Sequence, residues 1–151
     1  MQLVQLCIKY FDKMIDINKN KRNGHGLHLI IVCDEAGIFD AFYFIKDKLA
    51  GSGTAFLSLI YSVSDKKPHL LFEQELSILE KRFSDNIIVH ILRIDTTNYC
   101  IVQEVIEATI NSNTLPVMKF SVFGNPEFVN YVHGVLRFLD VKALMINSNI
   151  T

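Results

Sequence analysis

The sequence has few of the features that mark a metal site, a disulfide framework or a membrane span. Its three cysteines are far apart and show no C-x-x-C spacing, and its five histidines form no H-x-x-x-H pair. No apolar run approaches the ~20 residues that cross a bilayer. The N-terminus lacks the basic start of a signal peptide. We therefore expect no metal site, no membrane partner and a reducing, cytoplasmic location.

Charge of either sign is also scarce. The chain carries 15 basic and 16 acidic residues, a net charge of -1, and has no long basic run. A surface for nucleic acid is therefore not predicted. Half of the 151 residues are hydrophobic, which is enough for a single domain with an ordinary core.

Apolar residues at steps of three and four predict an amphipathic helix near the N-terminus. They are Leu3, Leu6, Cys7, Tyr10, Phe11, Met14 and Ile15. A polar loop follows over residues 18–26. We therefore divide the single domain, residues 1–151, into an N-terminal helix and loop (1–26) and a core (27–146).

Strand and helix patterns alternate through the core. The apolar runs 27–33, 54–62, 87–94, 117–123 and 142–146 predict strands, and the segments 39–49, 68–83, 101–110 and 126–139 have helical periodicity. Each parallel strand pair needs a crossover connection, which a helix usually supplies. The order predicts an α/β fold with three layers, an open parallel sheet of about five strands with helices on both faces.

Ligands of such folds bind beyond the carboxyl ends of the strands. After the first strand, Asp34 and Glu35 precede a single glycine, Gly37. Two carboxylates suit the positive end of a helix but repel a pyrophosphate there. These residues favour a capped strand-helix junction over a phosphate site.

The turns after the second and fourth strands leave two interpretations open. Ser62-Val63-Ser64-Asp65-Lys66-Lys67 could hold a ribose or an extra phosphate, or form a polar surface turn. Gly124-Asn125-Pro126-Glu127 could contact a ligand through its glycine, or be a plain tight turn before a helix.

Taken in chain order, the three turns and the elements between them resemble those of the NAD(P)-binding domain of ferredoxin reductase-like flavoproteins. The resemblance covers roughly residues 27–146. Only Gly37 and Ile38 match the family's glycine-rich first loop. Leu71-Phe72-Glu73-Gln74-Glu75-Leu76 is similar to its Leu-Phe-x-x-Glu-Leu helix. Phe123-Gly124-Asn125-Pro126-Glu127-Phe128 keeps the glycine, one proline and the apolar residue of its Cys-Gly-Pro-Pro motif.

The resemblance implies NAD(P)H as cofactor. The residues it assigns to binding are Gly37, Ile38, Ser62, Ser64, Lys66, Gly124, Asn125, Pro126 and Phe128. Backbone groups around Gly37 and Gly124 would contact the dinucleotide, and Ser62, Ser64 and Lys66 would lie near the ribose. NADH and NADPH remain equal alternatives.

The chain also departs from the family. Phe123 replaces the family's cysteine, and Asp34 and Glu35 replace two glycines. The flavin-binding barrel with its Arg-x-Tyr-Ser type motif is missing, so we expect no flavin site and no catalytic residue on this chain.

Three functions follow as alternatives. The first is an NAD(P)H-binding module of a flavin-dependent oxidoreductase that works with a separate flavin-bearing domain or chain and is not catalytic alone. The second is a degenerate, non-catalytic domain for protein interaction or regulation. The partner predicted for the chain is a flavoprotein or a second copy of itself. The third is a receiver-like phospho-acceptor domain that would use Asp34, Glu35, Asp95 and Lys119.

The helix 39–49 carries an aromatic cluster that is apolar all round: Phe39, Phe42, Tyr43 and Phe44. Packing on two sides explains such a helix, and so does a partner surface.

Overall fold

The computed structural model describes residues 26–51, 55–95 and 99–150. Within these ranges it confirms the predicted alternation and the α/β fold class. The strands are β1 (Leu27–Cys33), β2 (Ala55–Ser64), β3 (Ile87–Ile94), β4 (Val117–Gly124) and β5 (Ile146–Ile150). The helices are α1 (Ile38–Ala50), α2 (Glu73–Arg82), α3 (Cys100–Asn111) and α4 (Pro126–Phe138). The N-terminal helix predicted from Leu3 to Ile15 lies outside the described residues.

The five strands form one parallel sheet in the order β3-β2-β1-β4-β5. The chain moves outward from β1 through β2 to β3, and α3 then returns it to the other side of β1. The direction of winding therefore reverses between β1 and β4. In open α/β sheets this reversal opens a crevice at the carboxyl ends of the two strands.

Two cores lie on opposite faces of the sheet, because successive strand residues point to opposite sides. Ile30 and Val32 of β1 belong to the core under α3 and α4. Leu29, Ile31 and Cys33 belong to the core under α1 and α2. Burial on both faces explains why β1 reads as one continuous apolar run.

Two predicted boundaries are wrong. The second helix was predicted from Pro68, but α2 begins at Glu73, after Phe72 in the left-handed conformation with φ 62°. Phe72 stacks on Phe42 of α1 with ring centroids 4.4 Å apart. The apolar residue at position 72 thus packs in a turn before the helix. Helical periodicity alone cannot distinguish such a turn from the first turn of a helix.

The last strand was predicted at 142–146, but β5 spans Ile146–Ile150. Ala143–Met145 forms a 3-10 turn instead. Leu144 in that turn is 96% exposed, so the apolar character that suggested a strand is not buried. The true strand is polar at Asn147, Ser148 and Asn149 because it lies at the edge of the sheet.

Candidate functional site

A cleft of about 610 Å³ opens at the carboxyl ends of the strands around the switch point. The turns after β1, β2 and β4 and the segment before α3 contribute to it. Its lining residues are Asp34, Glu35, Ala36, Ser62, Val63, Ser64, Lys67, Ile94, Tyr99 and Asn125. Hydroxyls, one ammonium group and an aromatic ring thus face a common space.

The Asp34 carboxylate joins the two loops of the switch point. Its Oδ1 accepts a hydrogen bond from the amide of Gly37 (2.9 Å), and its Oδ2 accepts one from the amide of Asn125 (3.2 Å). Gly37 and Asn125 are the N-cap residues of α1 and α4. One carboxylate therefore bonds to the positive ends of both helices. The capped strand-helix junction predicted after β1 is confirmed.

Burial also changes the pKa of the Asp34 carboxyl. Asp34 is 9% exposed. Burial raises the pKa of its carboxyl from the ordinary value of 3.8, although the surrounding backbone hydrogen bonds, those from Asn125 and Gly37 first, act in the opposite direction. Burial raises the pKa of the neighbouring Cys33 thiol well above its usual range, and the charge of Asp34 adds to this. The thiol therefore stays protonated and is not a nucleophile.

Two glycines allow the loops to meet. A Cβ on Gly37 would lie 2.3 Å from the carbonyl carbon of Phe123. A Cβ on Gly124 would lie 2.7 Å from Asp34 Oδ1. Gly37 has an ordinary φ of -93°, so the close approach of backbone to backbone, and not an unusual dihedral angle, requires a glycine there.

The Glu35 carboxylate satisfies the donors of the β2 turn. It accepts a hydrogen bond from the Ser64 amide (2.6 Å) and a second, charge-assisted one from the Lys67 ammonium group. Partial burial alone would raise the pKa of Glu35, but the hydrogen bonds from Lys67 and Ser64 and the Lys67 charge outweigh it and lower the pKa. Glu35 is therefore ionised at neutral pH.

The β2 turn is also tied to the end of β3. Arg93 Nη1 donates to the Lys67 carbonyl (2.7 Å), and the Asp65 amide donates to the Ile94 carbonyl (2.9 Å). These bonds hold Lys67 at the cleft. Lys66, which the sequence suggested, is exposed and is not among the lining residues.

The other predicted site residues fall into three groups. Ser62, Ser64 and Asn125 line the cleft, and Gly37 and Gly124 form the backbone of the switch point. Ile38 and Phe128 are fully buried, one in each core, and support the two loops from below. Pro126 is exposed at the first position of α4.

Sequence reasoning missed Tyr99. This residue lies just before α3 and accepts a hydrogen bond from Tyr131 Oη at its carbonyl oxygen (2.9 Å). Its ring packs against Phe128, with centroids 5.8 Å apart. The end of β3 is also a carboxyl strand end, and an inspection of that turn would have included Tyr99.

The receiver-like arrangement is not assembled. Lys119 pairs with Leu29 near the amino end of β1, whereas Asp34 follows the carboxyl end of that strand. The cation therefore lies at the wrong end of β4 to meet the acidic pair. Across residues 26–51, 55–95 and 99–150, no group of three or more His, Cys, Asp or Glu residues could hold a metal ion.

The aromatic cluster of α1 divides into two parts. Phe42 is buried against Phe72, and Phe44 packs on Phe123. Phe39 and Tyr43 are 57% and 54% exposed. These two line a second cleft of about 880 Å³ between α1 and β5, with Asp40, Phe44, Phe123, Ser148 and Asn149. Packing within the protein therefore explains Phe42 and Phe44, and the interpretation as a partner surface stays a prediction for Phe39 and Tyr43.

Among the helices of the described ranges, none has both the length and the apolar character needed to span a bilayer.

No protein-family model and no curated protein matches the sequence. Solved structures do match. Ferredoxin-NADP+ reductase from Plasmodium falciparum is similar with a TM-score of 0.62 and 15% identity, over 83% of this chain and 54% of that one. The CS-b5R domains of human Ncb5or match with a TM-score of 0.68 and 12% identity, over 86% and 38% of the two chains.

A third match is the flavohem-like FAD/NAD binding domain of nitric oxide dioxygenase from Vibrio cholerae, with a TM-score of 0.54 and 16% identity, over 82% of this chain and 50% of that one. At these identities the likeness shows the fold. The predicted fold, that of the NAD(P)-binding domain of ferredoxin reductase-like flavoproteins, is thus confirmed. The chain spans about half, or less, of the length of these proteins.

Proposed function

We propose that this chain is a nucleotide-binding module that holds NAD(P)H at the crevice between β1 and β4 and presents it to a flavin carried by a separate domain or chain. The observation that carries the proposal is the 610 Å³ cleft at the switch point, lined by Ser62, Ser64 and Lys67. Hydroxyl and ammonium groups suit the ribose and phosphate of a nucleotide.

The two ends of the cleft differ in the hydrogen-bond donors that they offer to a nucleotide. At the β2 end, Ser62, Ser64 and Lys67 offer donors to a ribose or phosphate. The Glu35 carboxylate, which accepts hydrogen bonds from the Ser64 amide and the Lys67 ammonium group, is partly exposed. At the switch point, the amides of Gly37 and Asn125 already bond to Asp34. The backbone around Gly37 and Gly124 and the polar groups of Asn125 would contact the ligand, and Pro126 would lie at the edge of the site. Ile38 and Phe128 are buried and would hold the two loops in position from below.

The comparisons support the flavin-bearing partner indirectly. The solved structures that share this fold include proteins described as a reductase of NADP+ and as an FAD/NAD binding domain, and the chain matches only about half of each. Hydride transfer to a flavin is chemistry of the two cofactors, and the protein contributes binding and orientation. We therefore propose that the chain catalyses no redox reaction by itself.

Titration calorimetry of the purified chain with NADH and NADPH tests the proposal. We expect micromolar to millimolar binding, and a higher melting temperature at millimolar ligand because the ligand binds only the folded state. Lys67→Ala should weaken binding, whereas Lys119→Ala makes the same change of charge at the opposite end of β4 and should not. Absence of heat together with an unchanged melting temperature would contradict the proposal.

A second function, a non-catalytic interaction module, is favoured by one observation. Phe39 and Tyr43 are more than half exposed beside each other, with ring centroids 4.9 Å apart. Sedimentation of the wild type and of a Phe39→Asp/Tyr43→Asp variant tests it. Association that is present in the wild type and lost in the variant would support a partner surface on α1, and monomers in both would exclude self-association there.

A further inference from the structure

The donors that a switch-point crevice offers to an anion are already occupied by an anion of the chain itself. Helix N-termini at this position favour negative groups, because their amides have no partner within the helix and the helix dipole is positive there. The amides of Gly37 and Asn125 are such donors, and both bond to the Asp34 carboxylate at 2.9 and 3.2 Å. Asp34 therefore stands where a phosphate group would bind.

We infer that Asp34 is a specificity-determining residue. Its carboxylate excludes a ligand's diphosphate from the amides of Gly37 and Asn125, so the cleft takes the nucleoside end of a nucleotide in preference to its diphosphate. The inference rests on the proposed function and states which part of the nucleotide the wild-type site selects.

Packing prevents Asp34 from moving aside. The residue is 9% exposed, and each of its carboxylate oxygens accepts a hydrogen bond from a different loop. Its Oδ1 lies close enough to Gly124 that a Cβ there would be 2.7 Å away. Rotation of the side chain would leave the buried amide of Gly37 and the partly buried amide of Asn125 without an acceptor unless a ligand arrived at the same time.

Glu35 provides the contrast within the same cleft. Its side chain is 25% exposed, and its ammonium partner Lys67 is 59% exposed. Water can replace both partners, so this ion pair is easily exchanged for a ligand group. The β2 end of the cleft is thus open to substitution by a ribose or phosphate, and the switch-point end is not.

The first test compares two ligands that share a nucleoside. Adenosine has no phosphate, and ADP-ribose adds a diphosphate to it. Calorimetric titrations at neutral pH and low salt use the full-length wild type, Asp34→Asn and the matched control Asp40→Asn. Asp40 lies in the first turn of α1, so the control makes the same substitution at the same helix end but removes no bond to Gly37 or Asn125.

In Asp34→Asn, we expect the affinity for ADP-ribose relative to adenosine to rise about tenfold, the size of effect that removing one close like charge produces. In Asp40→Asn the ratio should stay within about threefold of the wild type. A folded Asp34→Asn variant with an unchanged ratio, beside measurable adenosine binding, would overturn the inference and leave the proposed function standing. If neither ligand binds or shifts the melting temperature of any of the three proteins, the proposed function fails and the inference fails with it.

A second measurement needs no substitution at Asp34. Binding of ADP-ribose to the wild type should take up no more protons than binding of adenosine does, because Asp34 keeps its amides and the diphosphate stays away from them. Titrations near pH 6 in two buffers of different ionisation enthalpy measure the uptake for both ligands. Proton uptake with ADP-ribose but not with adenosine would mean that Asp34 is neutralised to admit the diphosphate, and it would overturn the inference even if Asp34→Asn does not fold.

The groups around Asp34 do not obscure that measurement. Burial raises the pKa of Cys33, Tyr61 and Tyr99, so these groups keep their protons. The Lys67 hydrogen bond keeps Glu35 ionised in the free protein, and the same titrations on Glu35→Gln remove any proton that Glu35 takes up when a ligand displaces Lys67. Glu127, in the first turn of α4, is exposed to water.

Discussion

Gly37 approaches the end of β4 so closely that a Cβ built on it would lie 2.3 Å from both the carbonyl carbon and the carbonyl oxygen of Phe123. Backbone atoms cannot rotate out of the way as a side chain can. The start of α1 therefore packs directly on the end of β4 because residue 37 has no side chain. This backbone contact holds together the two loops that form the cleft.

Gly37→Ala should therefore lower the free energy of unfolding by about 1–3 kcal/mol, because the loop must shift to admit one methyl group. Gly134→Ala in α4 is the matched control. Nothing lies within 4 Å of a Cβ at that position. There we expect stabilisation of up to about 1 kcal/mol from the better helix propensity of alanine. Urea unfolding measures both, and equal effects at the two positions would contradict the close contact.

Asp34 should make the free energy of unfolding depend on pH in a recognisable way. Burial raises the pKa of this carboxyl above its ordinary value of 3.8, so the native state holds the proton more tightly than the unfolded state does. The contribution of Asp34 to the free energy of unfolding therefore falls as the pH rises from about 3.8 to the folded pKa, and is constant above it. Subtracting the unfolding curve of Asp34→Asn from that of the wild type across pH 3.5–7 should show this fall.

The contribution of Glu35 to the free energy of unfolding should change with pH in the opposite direction. Its pKa is lowered from 4.5, so its stabilising contribution is complete above that value and is lost as the pH falls through the folded pKa. The difference between wild type and Glu35→Gln measured over the same acid range should shrink toward low pH. A difference that grows instead would mean that the bond to Lys67 does not form. Added salt should reduce the effect, since Lys67 is mostly exposed.

A buried histidine of β1 links β2 and the loop between α3 and β4. His28 is fully buried, with Nε2 2.8 Å from Ser58 Oγ and Nδ1 2.9 Å from Asn113 Oδ1. Ser58→Ala should lower the free energy of unfolding by about 1–3 kcal/mol, because a buried hydrogen bond is lost. Ser121→Ala, at a similarly buried position of β4, is the control and should have the smaller effect. The reverse order would show that the bond to His28 does not stabilise the fold.

The aromatic residues of α1 should differ in their effect on stability. Phe42 is 8% exposed and stacks on Phe72, so Phe42→Ala should lower the free energy of unfolding by about 3–5 kcal/mol. Phe39 is 57% exposed, and Phe39→Ala should change it by less than about 1 kcal/mol. Urea unfolding of both variants checks this. A large loss at Phe39 would place it in the core and argue against an interaction surface.

Some of these features could be predicted from the sequence, and others could not. The apolar run 27–33 coincides with β1, because a central parallel strand is buried on both faces and leaves a continuous signal. β5 shows no such apolar run in the sequence, because its polar residues lie at a sheet edge. Ser62, Ser64 and Asn125 were found as residues of strand-end turns, but Lys67 was passed over for Lys66. Which of two adjacent lysines faces a cleft depends on the bonds that orient the turn, here those of Glu35 and Arg93.

The order of the elements, the parallel sheet and the edge at which a ligand site would lie can all be predicted from the residues, since these features follow from hydrophobic periodicity and from the crossover that parallel strands require. The bonds that the carboxylates of that edge form depend on how the strands are placed in the sheet. Asp34 and Asn125 are 91 positions apart, and only the placement of β4 beside β1 brings the amide of one within 3.2 Å of the carboxylate of the other. Such a bond depends on distance in space, which no local pattern of residues records.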